Sequence, residues 1–137
     1  MPSSLGYSGT PLAQKLGIKS GSRVCAIGAP DNYVELLTPL PDAVVFEHRP
    51  GPLTDVAHVF ATQKADLARQ LTSLRQKLAP QATIWVSWPK KASKVPTTVT
   101  EDTIRELAFP LDLVDVKVCA VTEIWSGLKL VVRKERR

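Results

Sequence analysis

The 137-residue sequence is poor in the side chains that usually announce chemistry, with two cysteines, two histidines and one methionine. Cys25 and Cys119 each sit inside an apolar run, RVCAI and VKVCAV, and no CxxC spacing is present. They read as small buried hydrophobes, which excludes a disulfide framework and a redox pair. His48 and His58 lie far from both cysteines, so no zinc site of ordinary spacing is available and no metal is expected. A lone histidine alternating within an apolar strand, as His58 does in DVAHVF, reads as a hydrogen-bonded core group. No apolar run approaches the roughly 18 residues of a membrane span, so no membrane partner is expected. The amino terminus, MPSSLGYSG, lacks the basic start and apolar segment of a secretory signal, which points to a cytoplasmic location. GxSxG, HExxH, a Walker loop and paired-carboxylate spacing are all missing, which removes the residues that hydrolase or kinase chemistry would need. No catalytic residue is expected.

What is present suits one folded domain over residues 1–137, with 44% hydrophobic and 23% charged residues. A formal net charge of +5 gives a modest electrostatic bias toward anionic partners. The organising stretch is SRVCAIGAPDN, residues 22–32, which reads as a buried strand over 23–27, a tight loop and a helix start. Before it, Thr10, Pro11 and Gly17 frame a short helix in which Leu12 and Leu16 share a face. After it, Asp31 is expected to cap a helix over 33–37, ended because Thr38 precedes a proline. Residues 43–47 and 55–61 read as strands, joined by a loop with no helical signal. Leu67, Leu71, Leu74 and Leu78 then trace one face of the strongest helix, with Thr62 as its expected cap. A strand over 82–88 leads into a polar loop, PKKASKVPT. Thr100, Glu101 and Asp102 open another helix that Pro110 closes. The runs 113–121 and 128–133 predict an antiparallel hairpin, and residues 134–137 a frayed tail. Strand and helix in alternation, closed by a hairpin, predict an α/β three-layer sandwich with a mostly parallel sheet of about six strands, the last antiparallel.

This order resembles a Rossmann-like S-adenosylmethionine-dependent methyltransferase fold lacking its third strand. The runs GYSGTPLAQKLGI, WVSWPKKAS, DLVDVKVCAV and WSGLKLVVR resemble a bacterial family known as domain of unknown function 3052, a likeness that implies a fold and no activity. The methyltransferase likeness implies S-adenosylmethionine as a cofactor, with Gly28, Asp31, Glu47 and Thr62 as the positions to hold it. Gly28 matches the first glycine of the GxGxG turn, but Pro30 stands where the second belongs, bringing a ring and removing an amide donor. Glu47 lies about twenty residues on, where a ribose-binding acid would fall. Residues 61–64, ATQK, offer no acidic or NPPY-type motif.

In an open sheet of this type ligands bind beyond the carboxyl ends of the strands. That edge should collect residues 28–32, 47–49, 62–64, 88–93 and 123–127, together with Tyr7, Ser8 and Thr10. Trp88 with Lys90, Lys91 and Ser93 offers an apolar shelf and donors suited to a phosphate or a stacked base, and Trp125 is the second aromatic on the edge. The leading expectation is a non-enzymatic or vestigial ligand-binding or protein-interaction module. The alternatives are a minimal methyltransferase, and a nucleotide or nucleic-acid binder acting through Lys90, Lys91, Lys94 and the basic tail.

Overall fold

In the computed structural model, which describes residues 9–137, β1 (Arg23–Ile27) lies inside a six-stranded sheet. The others are β2 (Val45–Phe46), β3 (Val56–Phe60), β4 (Thr83–Pro89), β5 (Leu113–Ala120) and β6 (Trp125–Val132), in the order β2-β1-β3-β4-β6-β5. The first four strands are parallel, and β6 enters antiparallel between β4 and β5. The sheet is therefore the expected Rossmann-like one, with its order reversing between β1 and β3.

Helices cover both faces. On one face α3 (Lys64–Lys77) buries Leu67, Leu71 and Leu74, and α4 (Glu101–Ala108) buries Ile104 and Ala108, against Val59, Val86, Leu128 and Leu130. On the other, α1 (Leu12–Lys15) and α2 (Tyr33–Leu36) bury Ala13, Leu16, Tyr33 and Leu37 against Val24, Val56, Phe60 and Trp85. Trp85 is fully buried there, and its indole N–H donates to the Leu16 carbonyl at 3.0 Å, pinning the end of α1 to β4. Period-3.6 leucines make the first face legible, because one helix supplies its whole apolar stripe.

The structure departs from sequence expectation at several ends. β2 is only two residues long and exposed, because Ala43 takes a left-handed conformation just before it and no helix follows to cover it. α2 starts after Asn32 with no side-chain cap, so Asp31 does not cap it. α1 begins after Pro11, again without a side-chain cap, while Gly17 takes the expected left-handed conformation. α3 is entered through an extended Gln63, not capped by Thr62; the Lys64 N–H donates instead to Thr98 Oγ1 at 2.7 Å. Residues 134–136, expected as a frayed tail, form a 3-10 turn, and Arg133 and Arg136 both pair with Asp112. The helix-free return from β2 to β3 is closed by mutual hydrogen bonds between Gly51 and Thr54, and by the Arg23 N–H donating to Asp55 at 2.8 Å.

Candidate functional site

The turn after β1 is built around Gly28. Its φ of +70° lies in the left-handed region, and a Cβ there would stand 2.8 Å from the Phe60 carbonyl oxygen. Glycine is required on both counts. The turn is thus pressed against the end of β3, at the point where strand order reverses. Pro30 then accepts from the Tyr33 N–H through its carbonyl and offers no N–H of its own.

Tyr33 opens α2 and points inward. Its hydroxyl lies 2.8 Å from His58 Nδ1, and His58 Nε2 lies 2.7 Å from Ser87 Oγ, so one buried chain links α2, β3 and β4. His58 stacks on Phe60 at 4.3 Å, and Phe60 meets Tyr33 and Trp125 edge-on at 5.6 and 5.1 Å. Burial lowers the His58 pKa to about 3 and raises that of the Tyr33 phenol, the latter helped by Cys25. Both groups are neutral across the physiological range, and water does not reach them. The chain is a core brace and not an exposed nucleophile.

Beside this aromatic cluster opens a cavity of about 580 Å³. One wall is the start of α1, from Gly9 to Leu12 with Lys15. The second is the β1–α2 segment through Pro30, Asn32 and Leu36, and the third is the hairpin tip from Ala120 to Trp125. Its volume falls within the range of small-ligand sites, and its lining is mostly apolar with a few polar groups, as such sites are. Thr122 Oγ1 accepts from the N–H groups of Ile124 and Trp125, which shapes the tip.

Of the residues expected at a site, Trp125 lines this cavity, and so does Thr10. Gly28 and Asp31 belong to the adjoining turn without lining it. Tyr7 and Ser8 lie outside the described residues. Glu47 is directed elsewhere: its oxygens accept from Thr54 Oγ1 at 2.6 Å and Arg23 Nε at 2.8 Å, and these two partners hold its carboxyl below the ordinary range. Register explains this, since β2 pairs only with Arg23 and Val24 and ends level with the lower half of β1. The Thr62 carbonyl accepts from Thr97 and Thr98. Trp88 packs with the α3–α4 core, on the face opposite Trp125. The Lys90 N–H donates to the Ile124 carbonyl at 2.7 Å, Lys91 is exposed on a 3-10 turn, and the Ser93 hydroxyl donates to the Lys90 carbonyl. The expected shelf of Trp88, Lys90, Lys91 and Ser93 is therefore a tied loop whose Lys90 N–H meets the hairpin that walls the cavity. Asn32, within the expected 28–32 stretch, lines the cavity too, whereas sequence reasoning missed Lys15 and Leu36; a helix antiparallel to β1 was the signal that could have found Lys15.

Among the described residues no cluster of three metal-ligating side chains occurs, and no helix is long and apolar enough to cross a membrane. The sequence profile of a family described as Protein of unknown function (DUF3052) matches residues 13–134. No curated protein matches. Among solved structures, an S-adenosylmethionine-dependent methyltransferase from Aquifex aeolicus aligns with a TM-score of 0.66 and 14% identity, covering 88% of this chain and 87% of its own. The N-methyltransferase NodS from Bradyrhizobium japonicum aligns at 0.57 and 11%, covering 84% and 88%. The riboflavin-analogue dimethyltransferase RosA from Streptomyces davawensis aligns at 0.61 and 15%, covering 80% of this chain and 49% of its own. At these identities the likeness establishes a shared fold, and function must be argued from the site.

Proposed function

Since the chain belongs to the DUF3052 family and carries a methyltransferase-like fold, we propose that it is a small-ligand-binding module that uses this fold without methyl transfer. The observation that supports the reading is the position of the cavity. It opens between α1, the β1–α2 segment at Pro30 and Asn32, and the hairpin tip, and its lining includes none of Gly28, Asp31, Glu47 and Thr62, the positions expected to hold the cofactor.

The fold family implies S-adenosylmethionine, but the residues at that turn suit it poorly. Gly28 is closed against Phe60, Pro30 has no amide to donate, and both Glu47 oxygens already accept hydrogen bonds within the fold. No methyl-transfer step is derived through them.

A rival reading is favoured by the structural neighbours, which are methyltransferases: a minimal methyltransferase holding its cofactor through Gly28, Asp31, Glu47 and Thr62. The two diverge in a thermal-unfolding panel containing S-adenosylhomocysteine, adenosine and adenosine 5′-monophosphate. A ligand present at a hundredfold excess over its Kd stabilises by about 2.7 kcal/mol, which raises the midpoint by roughly ten degrees in a domain of this size. The binding-module reading expects a shift with one of the panel that disappears in Ile124→Asp, a substitution at an exposed cavity-wall side chain. A shift with S-adenosylhomocysteine that survives Ile124→Asp and is lost in Glu47→Ala would replace it with the rival. No shift with any of the three would end it.

A further inference from the structure

Lys117 and Lys129 stand together on the face of the sheet that carries the cavity, a like-charge pairing that folding does not require. Lys117 of β5 and Lys129 of β6 are direct cross-strand partners, and directly opposed like charges destabilise a sheet. Register places Lys129 opposite Trp85, so the pair stands on the face that carries α1 and the cavity. Neither lysine takes part in an ion pair among the described residues; the nearest acid in β5, Asp115, is bound to Arg105 of α4 on the other face. Lys15 of α1 lines the cavity itself and is half-buried. Cys119, two residues beyond Lys117 on the same face of β5, packs against the cluster that holds Ala13 and Leu16 of the α1 segment. From that point the strand runs directly into Ala120 to Trp125, the third wall of the cavity.

From this juxtaposition we propose that the cavity takes a ring-bearing organic phosphate, its planar body among Pro11, Pro30, Leu36 and Trp125 and its phosphate toward Lys15, Lys117 and Lys129. The proposal rests on the ligand-binding reading above and specifies its ligand class. A phosphate dianion suits a group of ammonium charges, whereas among the described residues that line the cavity the one acid is Glu123, at the tip of the hairpin. A ligand with a net positive tail, such as S-adenosylmethionine, would meet these charges with repulsion. The phosphate also accounts for a like-charge pair whose cost is relieved when the ligand is bound.

The test is a calorimetric titration of the full chain with adenosine 5′-monophosphate, adenosine, S-adenosylmethionine and inorganic phosphate at low and moderate salt. The expected result is that adenosine 5′-monophosphate binds at least about tenfold more tightly than adenosine, that salt narrows the difference, and that S-adenosylmethionine binds more weakly than either. In the Lys117→Ala/Lys129→Ala variant that preference should vanish while adenosine binding is unchanged. The unliganded midpoint should stay level or rise, because a repulsive pair has been removed; this separates a lost binding charge from a damaged fold. Adenosine binding that Ile124→Asp abolishes but that phosphate does not improve would overturn this proposal and leave the module reading standing. Phosphate-selective binding that persists undiminished in the double variant would also overturn it, and no binding of any probe would overturn both.

Discussion

At the scale of single residues, His58 is a base sealed from water. Its neighbours decide its protonation: if the Tyr33 hydroxyl donates to Nδ1, then Nε2–H donates to Ser87, and the opposite tautomer reverses both bonds. Either arrangement holds a neutral ring, and neither partner is an anion that could compensate a positive one. Burial accordingly lowers the pKa to about 3, against about 6.5 in an unfolded chain. The folded value lies below the unfolded one, so the stabilisation is complete above pH 6.5 and is lost as pH falls toward 3. The slope is about 1.4 kcal/mol per pH unit, giving a loss of about 2 kcal/mol by pH 5. Urea unfolding of the parent and of His58→Gln at pH 7.5 and pH 5 checks this. The parent should lose that stability while the variant, weaker at pH 7.5, changes little; equal losses would mean that other groups carry the acid sensitivity. Carboxylates such as Glu47, whose pKa is lowered, destabilise in the same direction but at lower pH.

At the scale of elements, α3 and α4 show which signals are local. α4 carries its own start: Thr100 Oγ1 accepts from the Thr103 N–H at 3.2 Å, and Glu101 and Asp102 occupy the first turn. All of these lie within a few residues, so the sequence alone locates this end. α3 has the clearer apolar stripe in Leu67, Leu71 and Leu74, but its first N–H is satisfied by Thr98 from 34 residues away, a partner that no local pattern reveals. Thr100→Ala should therefore lower stability by about 1 kcal/mol, within the usual range for a lost cap, and Thr98→Ala should cost a similar amount although it lies outside the helix it serves. Thermal melts followed by circular dichroism would measure both; a Thr98→Ala variant as stable as the parent would show that water replaces the hydroxyl at α3. β1 was legible to the residue because a buried strand, a left-handed glycine and a helix start follow one another without interruption. β2 was overestimated because AVVFE has the composition of a strand, while the left-handed Ala43 interrupts the extended backbone just before it.

Across the whole molecule, the mostly parallel sheet closed by an antiparallel hairpin was legible, because it follows from the alternation of strands and helices. The face of the sheet was not. Trp88 pairs opposite Ser126 and Pro89 opposite Trp125, so one position of register sends Trp88 to the α3–α4 core and Trp125 to the cavity. Register between β4 and β6 is a property of segments about forty residues apart, and composition does not encode it. The same topology grades stability across the sheet. β3 is buried at all five positions and paired on both sides, whereas β2 is exposed at both of its residues and paired only to β1. Elements with few buried contacts open at lower free energy than the core they border. Native-state hydrogen exchange should therefore find the amides of Val45 and Glu47, which donate to Ser22 and Val24, exchanging through local opening. Those of Val59, Val86 and Leu128 should exchange only with global unfolding. If Val45 and Glu47 were as protected as Val59, the Glu47 bonds to Arg23 and Thr54 would have to be holding the β2 edge as firmly as the core, and the carboxylate would then be a structural clamp whose loss in Glu47→Ala unfolds that edge.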